Sequence, residues 1–314
     1  MNILFITSNR VGDAVLSTGL LRHLTDLYPQ ARFTIICGPY AAGLFRAVPR
    51  LERLIILRKK KWNLHWMEAW RQCAPTRWDL IVDLRNSIIS RLLRAGQLAC
   101  RAKNSGQHKV IENARVLNLN PPPVPKIWLD AEAEKNAARI LPPSRPLLAL
   151  APAANWPPKQ WPVKNFIALA QKLTAADGSL PGASILVITD AHERATAQPL
   201  LEAFPGRSVP IIGEDLLTAA ACLKECALFI GNDSGLMHLA AAMHTPTLGL
   251  FGPGQEAVYG PWGPHARYVC TPESRDTLLA RLPSLHAVSP NLMEGLSTDS
   301  AFRAACGLLN AEPS

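Results

Sequence analysis

Three loops in this sequence carry polar side chains at spacings that could do chemistry. The first reads Ser-Asn-Arg-Val-Gly-Asp at positions 8–13, between an apolar run and a helical pattern. Asp13 could act as a general base for a hydroxyl proton. It also sits where the N-cap of a helix over Ala14–Tyr28 would fall, and the two roles are compatible. Gly12 allows close backbone approach, and Asn9 and Arg10 would line the same loop.

The second loop, at positions 151–162, reads APAANWPPKQWP and follows another apolar run. Lys159 lies within it. A lysine at the carboxyl end of a strand can bind a phosphate as a point charge. The alternative is a solvated surface lysine, which most lysines are.

The third loop gives the strongest pattern, LFIGNDSGLMHLAAAM at positions 228–243. Small residues at Ser234 and Gly235 open an apolar helix, and the amino end of a helix favours a diphosphate. His238 follows Ser234 by one helical turn, as a ligand contact or as a structural histidine. Asp233 could bind a ligand or cap the helix. A serine-hydrolase interpretation is disfavoured, because the flanking glycines and a separate His/Asp pair are missing.

The elements around these loops alternate between short apolar runs and helical patterns along the whole chain. This alternation predicts an α/β protein with parallel sheets, in which ligands bind beyond the carboxyl ends of the strands. Prolines cluster at positions 121–125 and predict a domain boundary there. We therefore expect one domain over 1–125, a second over 126–290 and a helical tail over 291–314, with a cleft between the two domains.

The charge distribution is uneven. The chain carries 33 Lys and Arg against 24 Asp and Glu, and residues 1–125 alone carry 19 against 7. Two clusters dominate this half, Arg58, Lys59, Lys60 and Lys61 before Trp62, Trp66 and Trp70, and Arg85, Arg91 and Arg94 with Arg101 and Lys103. Both could contact anionic lipid or an acidic acceptor, or could be solvated surfaces beside core packing.

The remaining composition predicts a soluble cytoplasmic protein. No apolar stretch reaches the roughly 18 residues that a membrane span needs. Residues 1–7 are predicted to form a strand and not a signal peptide. The 7 cysteines are scattered without a CxxC pair, which favours a reducing compartment.

Together these segments resemble the heptosyltransferases of lipopolysaccharide assembly, glycosyltransferase family 9. The resemblance is carried by Gly12-Asp13, by Lys159-Gln160-Trp161-Pro162, and by Gly231-Asn232-Asp233-Ser234-Gly235 with His238. The stretch from Pro246 to Pro253 adds to it. These motifs occur in the family's order and spacing and span most of the chain.

The resemblance implies two Rossmann-like domains in the glycosyltransferase B arrangement, the first binding the acceptor and the second a nucleotide sugar, commonly ADP-heptose. It implies inversion at the anomeric carbon, with Asp13 as catalytic base and Lys159 on the phosphates. Asp233, Ser234, Gly235 and His238 would form the donor-binding loop. Asp190 stands where the family usually has glycine, and would contact the ribose or cap the next helix.

No Asp-x-Asp triplet occurs in the sequence, so we expect a metal-independent reaction without a cofactor beyond the nucleotide sugar. An acidic lipopolysaccharide-core or similar glycan is the expected acceptor, with possible peripheral contact to the cytoplasmic face of the inner membrane. Two alternatives stay open: a sugar-nucleotide epimerase or hydrolase on the same fold, and a non-catalytic relative that binds membrane or nucleic acid. Against nucleic acid, the sequence shows charge without a recognisable binding motif.

Overall fold

The chain folds into two compact units, Met1–Trp128 and Leu129–Ser314. The computed structural model describes residues 1–101, 106–143, 146–282 and 290–310. The division falls after residue 128, where the proline pattern predicted 125. Parts of the predicted second domain and tail (144–145, 283–289 and 311–314) and Lys103 lie outside the described residues.

The first unit is built on a five-stranded sheet in the order β3-β2-β1-β4-β5, with every neighbouring pair parallel. Its strands are β1 (Asn2–Ile6), β2 (Arg32–Cys37), β3 (Leu51–Ile56), β4 (Trp78–Asp83) and β5 (Ala95–Cys100). Its helices are α1 (Val11–Leu27), α2 (Leu64–Cys73), α3 (Ile88–Leu92) and α4 (Lys109–Ala114).

The second unit contains a six-stranded sheet in the order β11-β10-β9-β6-β7-β8, again with every pair parallel. Its strands are β6 (Leu147–Ala151), β7 (Ser184–Thr189), β8 (Ser208–Ile212), β9 (Leu228–Asn232), β10 (Thr247–Phe251) and β11 (Ala266–Cys270). Its helices are α5 (Ala131–Ile140), α6 (Val163–Thr174), α7 (Arg194–Ala203), α8 (Leu216–Lys224), α9 (Gly235–Ala242), α10 (Glu256–Tyr259), α11 (Arg275–Leu279) and α12 (Thr298–Leu309). The predicted α/β class with parallel sheets is confirmed.

The central strands are apolar without interruption because helices cover both faces of a parallel sheet. In β6, for example, all five residues are buried. The core of the second unit includes Trp161 and Phe166, whose rings meet edge to face at 5.1 Å. Burial on both faces fixes the strand ends, from which the candidate loops emerge.

One predicted helix is wrong. The pattern over Ser87–Cys100 favours a single helix, but the chain forms the short α3 and then the edge strand β5. Gly96 helps to explain the change, because a Cβ at this position would lie 3.1 Å from the Asp79 carbonyl oxygen of neighbouring β4. Glycine therefore permits close pairing of β5 with β4, and it is a poor residue for a helix interior.

The end of the chain is helical between Thr298 and Leu309. Ser297 caps α12, and its side chain accepts a hydrogen bond from the Ser300 amide at 3.1 Å. Helix α12 packs on α6 and on the edge of the sheet at β11. Among the described residues, no helix is long and apolar enough to cross a membrane.

Candidate functional site

The strand order of the second unit places a topological switch point at the carboxyl ends of β6 and β9. From β6 the chain winds outward through β7 and β8, then returns to the other side of β6 to form β9, β10 and β11. The chain therefore continues from β6 toward β7 on one side, and from β9 toward β10 on the other side. Open α/β sheets bind ligands at such a switch point. The loops that carry Lys159 and Asp233–Gly235 are these two loops.

Lys159 and Asp233 meet at this switch point. Lys159 ends a short 3₁₀ turn at Pro157–Lys159, and its Nζ donates a hydrogen bond to Oδ2 of Asp233. Both side chains are largely shielded from solvent, with exposed fractions of 23% and 9%. An ammonium group has three N–H donors, so this bond leaves donors for a second anion. The pair thus fixes a cation at the sheet edge.

Asn232 holds the two loops together. Its Oδ1 accepts from the Trp161 amide at 2.9 Å, and its Nδ2 donates to the Pro152 carbonyl at 2.7 Å. The side chain is completely buried at the last position of β9. Sequence reasoning assigned this residue no role of its own. The sequence nevertheless contains a hint of this role, since Asn232 is an amide at the end of an otherwise apolar strand. A buried amide side chain requires hydrogen-bond partners.

The segment before α12 braces the same loop. Nε1 of Trp161 donates to the Leu296 carbonyl at 2.8 Å, and Nδ2 of Asn291 donates to the Gln160 carbonyl at 2.7 Å. The sequence pattern predicts only a helical tail here. These contacts join residues more than a hundred positions apart, so no local pattern could reveal them.

Ser234 forms the amino end of α9. It is the N-cap residue, with extended backbone, but its side chain makes no capping hydrogen bond. Within the described part of the chain, its buried Oγ has no hydrogen-bond partner. The first-turn amides of a helix also lack intrahelical acceptors. Oγ and the amides from Gly235 onward therefore offer several donors to an anion.

Two further features complete this edge of the sheet. His238 is buried one turn into α9, four residues after Ser234. The loop after β10 approaches Asp233 so closely that a Cβ on Gly254 would lie 2.7 Å from Oδ2 of Asp233. Glycine at this position lets the loop after β10 close against the ion pair.

Asp190 follows β7 and caps the next turn. Its Oδ1 accepts from the Ala191 amide at 2.6 Å, and Glu193 completes a capping box by accepting from the Asp190 amide at 3.3 Å. The carboxylate is exposed beside the strand next to β6. Of the two roles that the sequence suggests for Asp190, ribose contact and helix capping, the structure contains the capping contact.

In the first unit, Asp13 lies inside α1 and not at its cap. The helix begins at Val11 after Arg10 as N-cap, so the predicted start at Ala14 is wrong. Asp13 is the third helical residue, where a carboxylate is stabilised by the helix dipole. Its Oδ2 accepts weakly from Oγ of Ser8 at 3.4 Å, while its buried Oδ1 has no partner among the described residues. A carboxylate oxygen without a donor retains its capacity to accept a proton.

The first sheet has its own switch point between β1 and β4, and Asn9 and Arg85 meet there. The Arg85 guanidinium donates to Oδ1 of Asn9 at 3.0 Å and lies over the Trp66 ring at 4.9 Å. Burial lowers the pKa of Arg85 from its ordinary value, although nearby Asp83 opposes the shift. The predicted loop residue Asn9 and the predicted basic residue Arg85 thus belong to one cluster.

The other predicted residues of this unit are spread over its surface. Gly12 is the second residue of α1, and exposed Arg10 donates its amide to Oγ of Ser8 at 3.2 Å. The remaining predicted basic side chains, all exposed, are Arg58, Lys59, Lys60, Lys61, Arg91 and Arg94. Lys60 is paired with Glu68, and Arg91 donates to Oδ1 of Asn86 at 2.6 Å. Over the described ranges, no three His, Cys, Asp or Glu side chains are grouped so that they could hold a metal ion.

The two parallel sheets define a two-unit α/β protein, whose second unit offers several hydrogen-bond donors at its switch point. Residues 102–285 match glycosyltransferase family 9 (heptosyltransferase), which covers more than half of the chain. The chain therefore belongs to glycosyltransferase family 9, and it is a glycosyltransferase.

Individual relatives agree with this assignment. The chain is 25% identical to lipopolysaccharide heptosyltransferase 2 of Salmonella typhimurium over 310 residues, which cover 86% of this chain and 88% of that protein. Among solved structures, it superposes on a family 9 glycosyltransferase of Veillonella parvula with a TM-score of 0.78 and 20% identity, covering 98% and 97% of the two chains. It also superposes on the ADP-heptose lps heptosyltransferase II of E. coli with a TM-score of 0.73 and 20% identity, covering 98% of each chain. This likeness confirms the predicted pair of Rossmann-like domains of the glycosyltransferase B class.

Proposed function

We propose that this enzyme transfers a heptose from ADP-heptose to a hydroxyl group of an acidic lipopolysaccharide-core or similar glycan. The observation that carries the proposal is the cation and helix amino end at the β6–β9 switch point, formed by Lys159 and Ser234. The family membership supports a glycosyl donor, and the name of the E. coli relative supports ADP-heptose in particular. The name of the Salmonella relative supports a lipopolysaccharide acceptor.

The second unit is the proposed donor-binding domain. Lys159 and the amides at the start of α9 would bind the diphosphate, with Oγ of Ser234 as a further donor and Asp233 holding the lysine in place. The interaction of these groups with the diphosphate becomes stronger as negative charge grows on the departing oxygen. Electrostatic stabilisation lowers the activation barrier in this way. Gly235 and His238 would shape the same loop, and exposed Asp190 is a proposed contact for ribose hydroxyls.

The proposed reaction is a single displacement with inversion. The acceptor oxygen forms a bond to the anomeric carbon while the bond from that carbon to the β-phosphate oxygen breaks, and ADP leaves with the electron pair. Asp13 would take the proton of the acceptor hydroxyl, using the carboxylate oxygen that has no partner among the described residues. A positioned general base of this kind contributes about 10²- to 10⁴-fold to a rate.

The first unit is the proposed acceptor-binding domain. Its basic side chains suit an acidic glycan or glycolipid, since Lys and Arg bind phosphate and carboxylate groups. Arg58, Lys59, Lys60 and Lys61 form one candidate group. A second group combines Arg85, Arg91 and Arg94 with Asn9, Arg10 and Gly12 around the start of α1. Binding such an acceptor would bring the enzyme to the cytoplasmic face of the inner membrane.

The decisive test is transfer from ADP-heptose to a deacylated, phosphorylated core oligosaccharide, with and without EDTA. We expect ADP release that requires the acceptor and survives EDTA, and a product whose anomeric configuration, read by NMR, is opposite to that of the donor. Asp13→Asn should lose about 10²- to 10⁴-fold in kcat. Asp26→Asn, near the other end of the same helix, should retain activity.

Other outcomes would redirect the assignment. ADP release or sugar isomerisation without acceptor would favour a nucleotide-sugar hydrolase or epimerase. Tighter binding of GDP or UDP than ADP in calorimetry would remove ADP-heptose as the donor. Full activity in Asp13→Asn would remove Asp13 as the base.

A further inference from the structure

Large apolar side chains are concentrated on the exposed surface of α2 and α3. Trp62, just before α2, is 91% exposed, and Ile88 and Leu92 on α3 are 68% and 63% exposed. The complete set of exposed side chains, here called the α2–α3 surface, is Trp62, Leu64, Met67, Trp70, Ile88 and Leu92. Contiguous exposed apolar patches on a folded protein mark sites that bind something.

The exposed stripes of α2 and α3 adjoin each other, and Trp62 lies just before the first residue of α2. In α2, Leu64, Met67 and Trp70 are spaced at three-residue intervals, while the face that begins at His65 is buried. In α3, Ile88 and Leu92 are one turn apart. Nε1 of Trp70 donates to the Leu92 carbonyl at 3.4 Å, so the exposed stripe of α2 meets that of α3.

Trp62 combines an exposed side chain with an unusual backbone conformation. Its φ of 55° and ψ of 23° lie in the left-handed region. Bulky residues seldom adopt this region, and such conformations persist where the surrounding structure imposes them. Its indole ring lies in solvent and directly follows the basic segment Arg58–Lys61 in the chain.

The charges around the α2–α3 surface are predominantly positive. Residues 56–94 contain nine Lys and Arg and three Asp and Glu. Of the three acids, Glu68 is paired with Lys60, and buried Asp83 accepts hydrogen bonds from the turn that follows β4. Exposed Lys59, Lys61 and Arg91 therefore face solvent beside apolar side chains. This combination complements an anionic surface.

We infer that the α2–α3 surface docks on an anionic lipid bilayer. Its Trp, Ile and Leu side chains would enter the boundary between headgroups and acyl chains, and its lysines and arginines would lie on lipid phosphates. A second copy of this chain fits less well, because two such surfaces would repel each other. Protein interfaces are also poor in lysine at their core.

The inference deepens the proposed function, and it rests on that function for the expectation that the acceptor is membrane-bound. The side chains proposed to contact the membrane also differ from those that the sequence suggests. The three-tryptophan stripe included Trp66, but the ring of Trp66 is covered by the guanidinium of Arg85. Ile88 and Leu92 take its place, and they come from a part of the chain predicted to be a longer helix.

The test is co-sedimentation of the full chain with vesicles of phosphatidylcholine alone or with about one third phosphatidylglycerol. We expect binding to the anionic vesicles that weakens with added salt. The triple variant W62S/I88S/L92S should bind at least about tenfold more weakly. A matched triple variant with other exposed apolar residues, L27S/Y40S/Y268S, should bind as the parent does.

The contribution of charge is tested separately. Removing Lys59 and Lys61 as K59Q/K61Q should weaken vesicle binding by about fivefold per lysine, since each basic residue near an anionic surface contributes about 1 kcal/mol. The control K135Q/K164Q removes two exposed lysines of the second unit and should have no effect. Thermal unfolding of each variant establishes that it is folded.

Three results would overturn the inference: absence of vesicle binding by the parent, equal binding of the W62S/I88S/L92S variant, or a parent dimer that this variant converts to monomer in sedimentation velocity. The last would assign the surface to a second copy of the chain. Transfer to a deacylated acceptor requires no lipid and is measured independently. A failure of lipid docking is therefore distinguishable from a failure of the proposed reaction.

Discussion

Nζ of Lys159 donates a hydrogen bond to Oδ2 of Asp233, and so joins the loop after β6 to the loop after β9. The two residues are 74 positions apart in the chain. They meet because β6 and β9 are neighbours in the sheet and both end at the same edge. The carboxylate holds the ammonium group where the amino end of α9 also offers donors, so the site is organised before a ligand arrives.

This arrangement predicts that Lys159 dominates diphosphate binding. Lys159→Met keeps most of the side-chain volume but removes the charge, and should weaken ADP binding by about 10- to 100-fold, as expected for a charged hydrogen bond. Isothermal titration calorimetry in EDTA measures the change. Lys164→Met, an exposed lysine at the start of α6, is the control and should bind ADP normally.

Combination with Asp233→Asn tests the pairing. If the carboxylate acts by positioning the lysine, the double variant should bind ADP more tightly than the sum of the two single losses predicts. Strict additivity would mean that Asp233 and Lys159 act on the ligand separately.

Ser234→Ala should weaken ADP binding without lowering the stability of the fold. The hydroxyl is buried without a partner among the described residues, and an unsatisfied buried polar group is unfavourable. Its removal should leave the free energy of unfolding unchanged or slightly raised, while ADP binding weakens by roughly 5- to 10-fold through loss of one hydrogen bond. Urea unfolding and calorimetry measure the two quantities. A loss of stability with unchanged affinity would assign the hydroxyl a structural role.

Asn232 should matter for folding more than any other polar residue at this edge. Asn232→Leu leaves two buried backbone groups without their partner, the Trp161 amide and the Pro152 carbonyl. We expect a loss of about 2–5 kcal/mol in the free energy of unfolding, because each group left unsatisfied costs about 1–3 kcal/mol. Asn136→Ala, whose side chain makes a surface contact in α5, should cost less than about 0.5 kcal/mol. A similar loss for both variants in urea unfolding would show that the bridge has no special weight.

The first unit should lose stability in mildly acidic solution through His65. Burial lowers the pKa of His65, the charges of Arg85 and Lys59 lower it further, and Glu68 opposes the shift. The folded state therefore favours neutral imidazole, whose Nδ1 accepts from the Lys60 amide at 3.3 Å. The contribution of neutral His65 to the free energy of unfolding is complete above the ordinary histidine pKa of about 6.5. It is lost as the pH falls below that value, because the unfolded chain binds the proton more readily.

The measurement is the urea midpoint of the parent and of His65→Asn between about pH 7.5 and pH 5. Asparagine can keep an acceptor for the Lys60 amide without titrating, so the difference between the two proteins should shrink as the pH falls. The exposed His192→Asn is the control. An equal pH dependence in the parent and in His65→Asn would contradict the assignment.

Local sequence patterns predict the secondary structure correctly where a segment is apolar throughout and buried on both faces. The apolar runs of β1, β6, β9 and β10 are strands because both faces of a central parallel strand are covered. The loops that follow them were identifiable because polar and small residues interrupt those runs. The candidate residues Asp13, Lys159 and Ser234 could thus be selected from residue type and order alone, and their roles are proposals.

Local patterns failed where two structures compete within a few residues. Residues 87–100 contain enough helix-forming side chains to favour one helix, yet Gly96 fits against Asp79 and pairing with β4 decides for a strand. The pattern also predicts Asp13 as the cap of α1, but Arg10 is the cap and makes no capping side-chain bond. The helix thus starts three residues earlier than the capping preference of aspartate predicts.

The α/β class, the polar loops and the family could all be predicted, because they follow from residue type and short-range order. Three relationships depend instead on the folded chain: Lys159 meets Asp233, Asn232 ties Trp161 to Pro152, and Trp70 of α2 meets Leu92 of α3 on an exposed surface. Each of them requires particular strands or helices to become neighbours. That choice is made by burial across the whole sheet, which no short stretch of residues encodes.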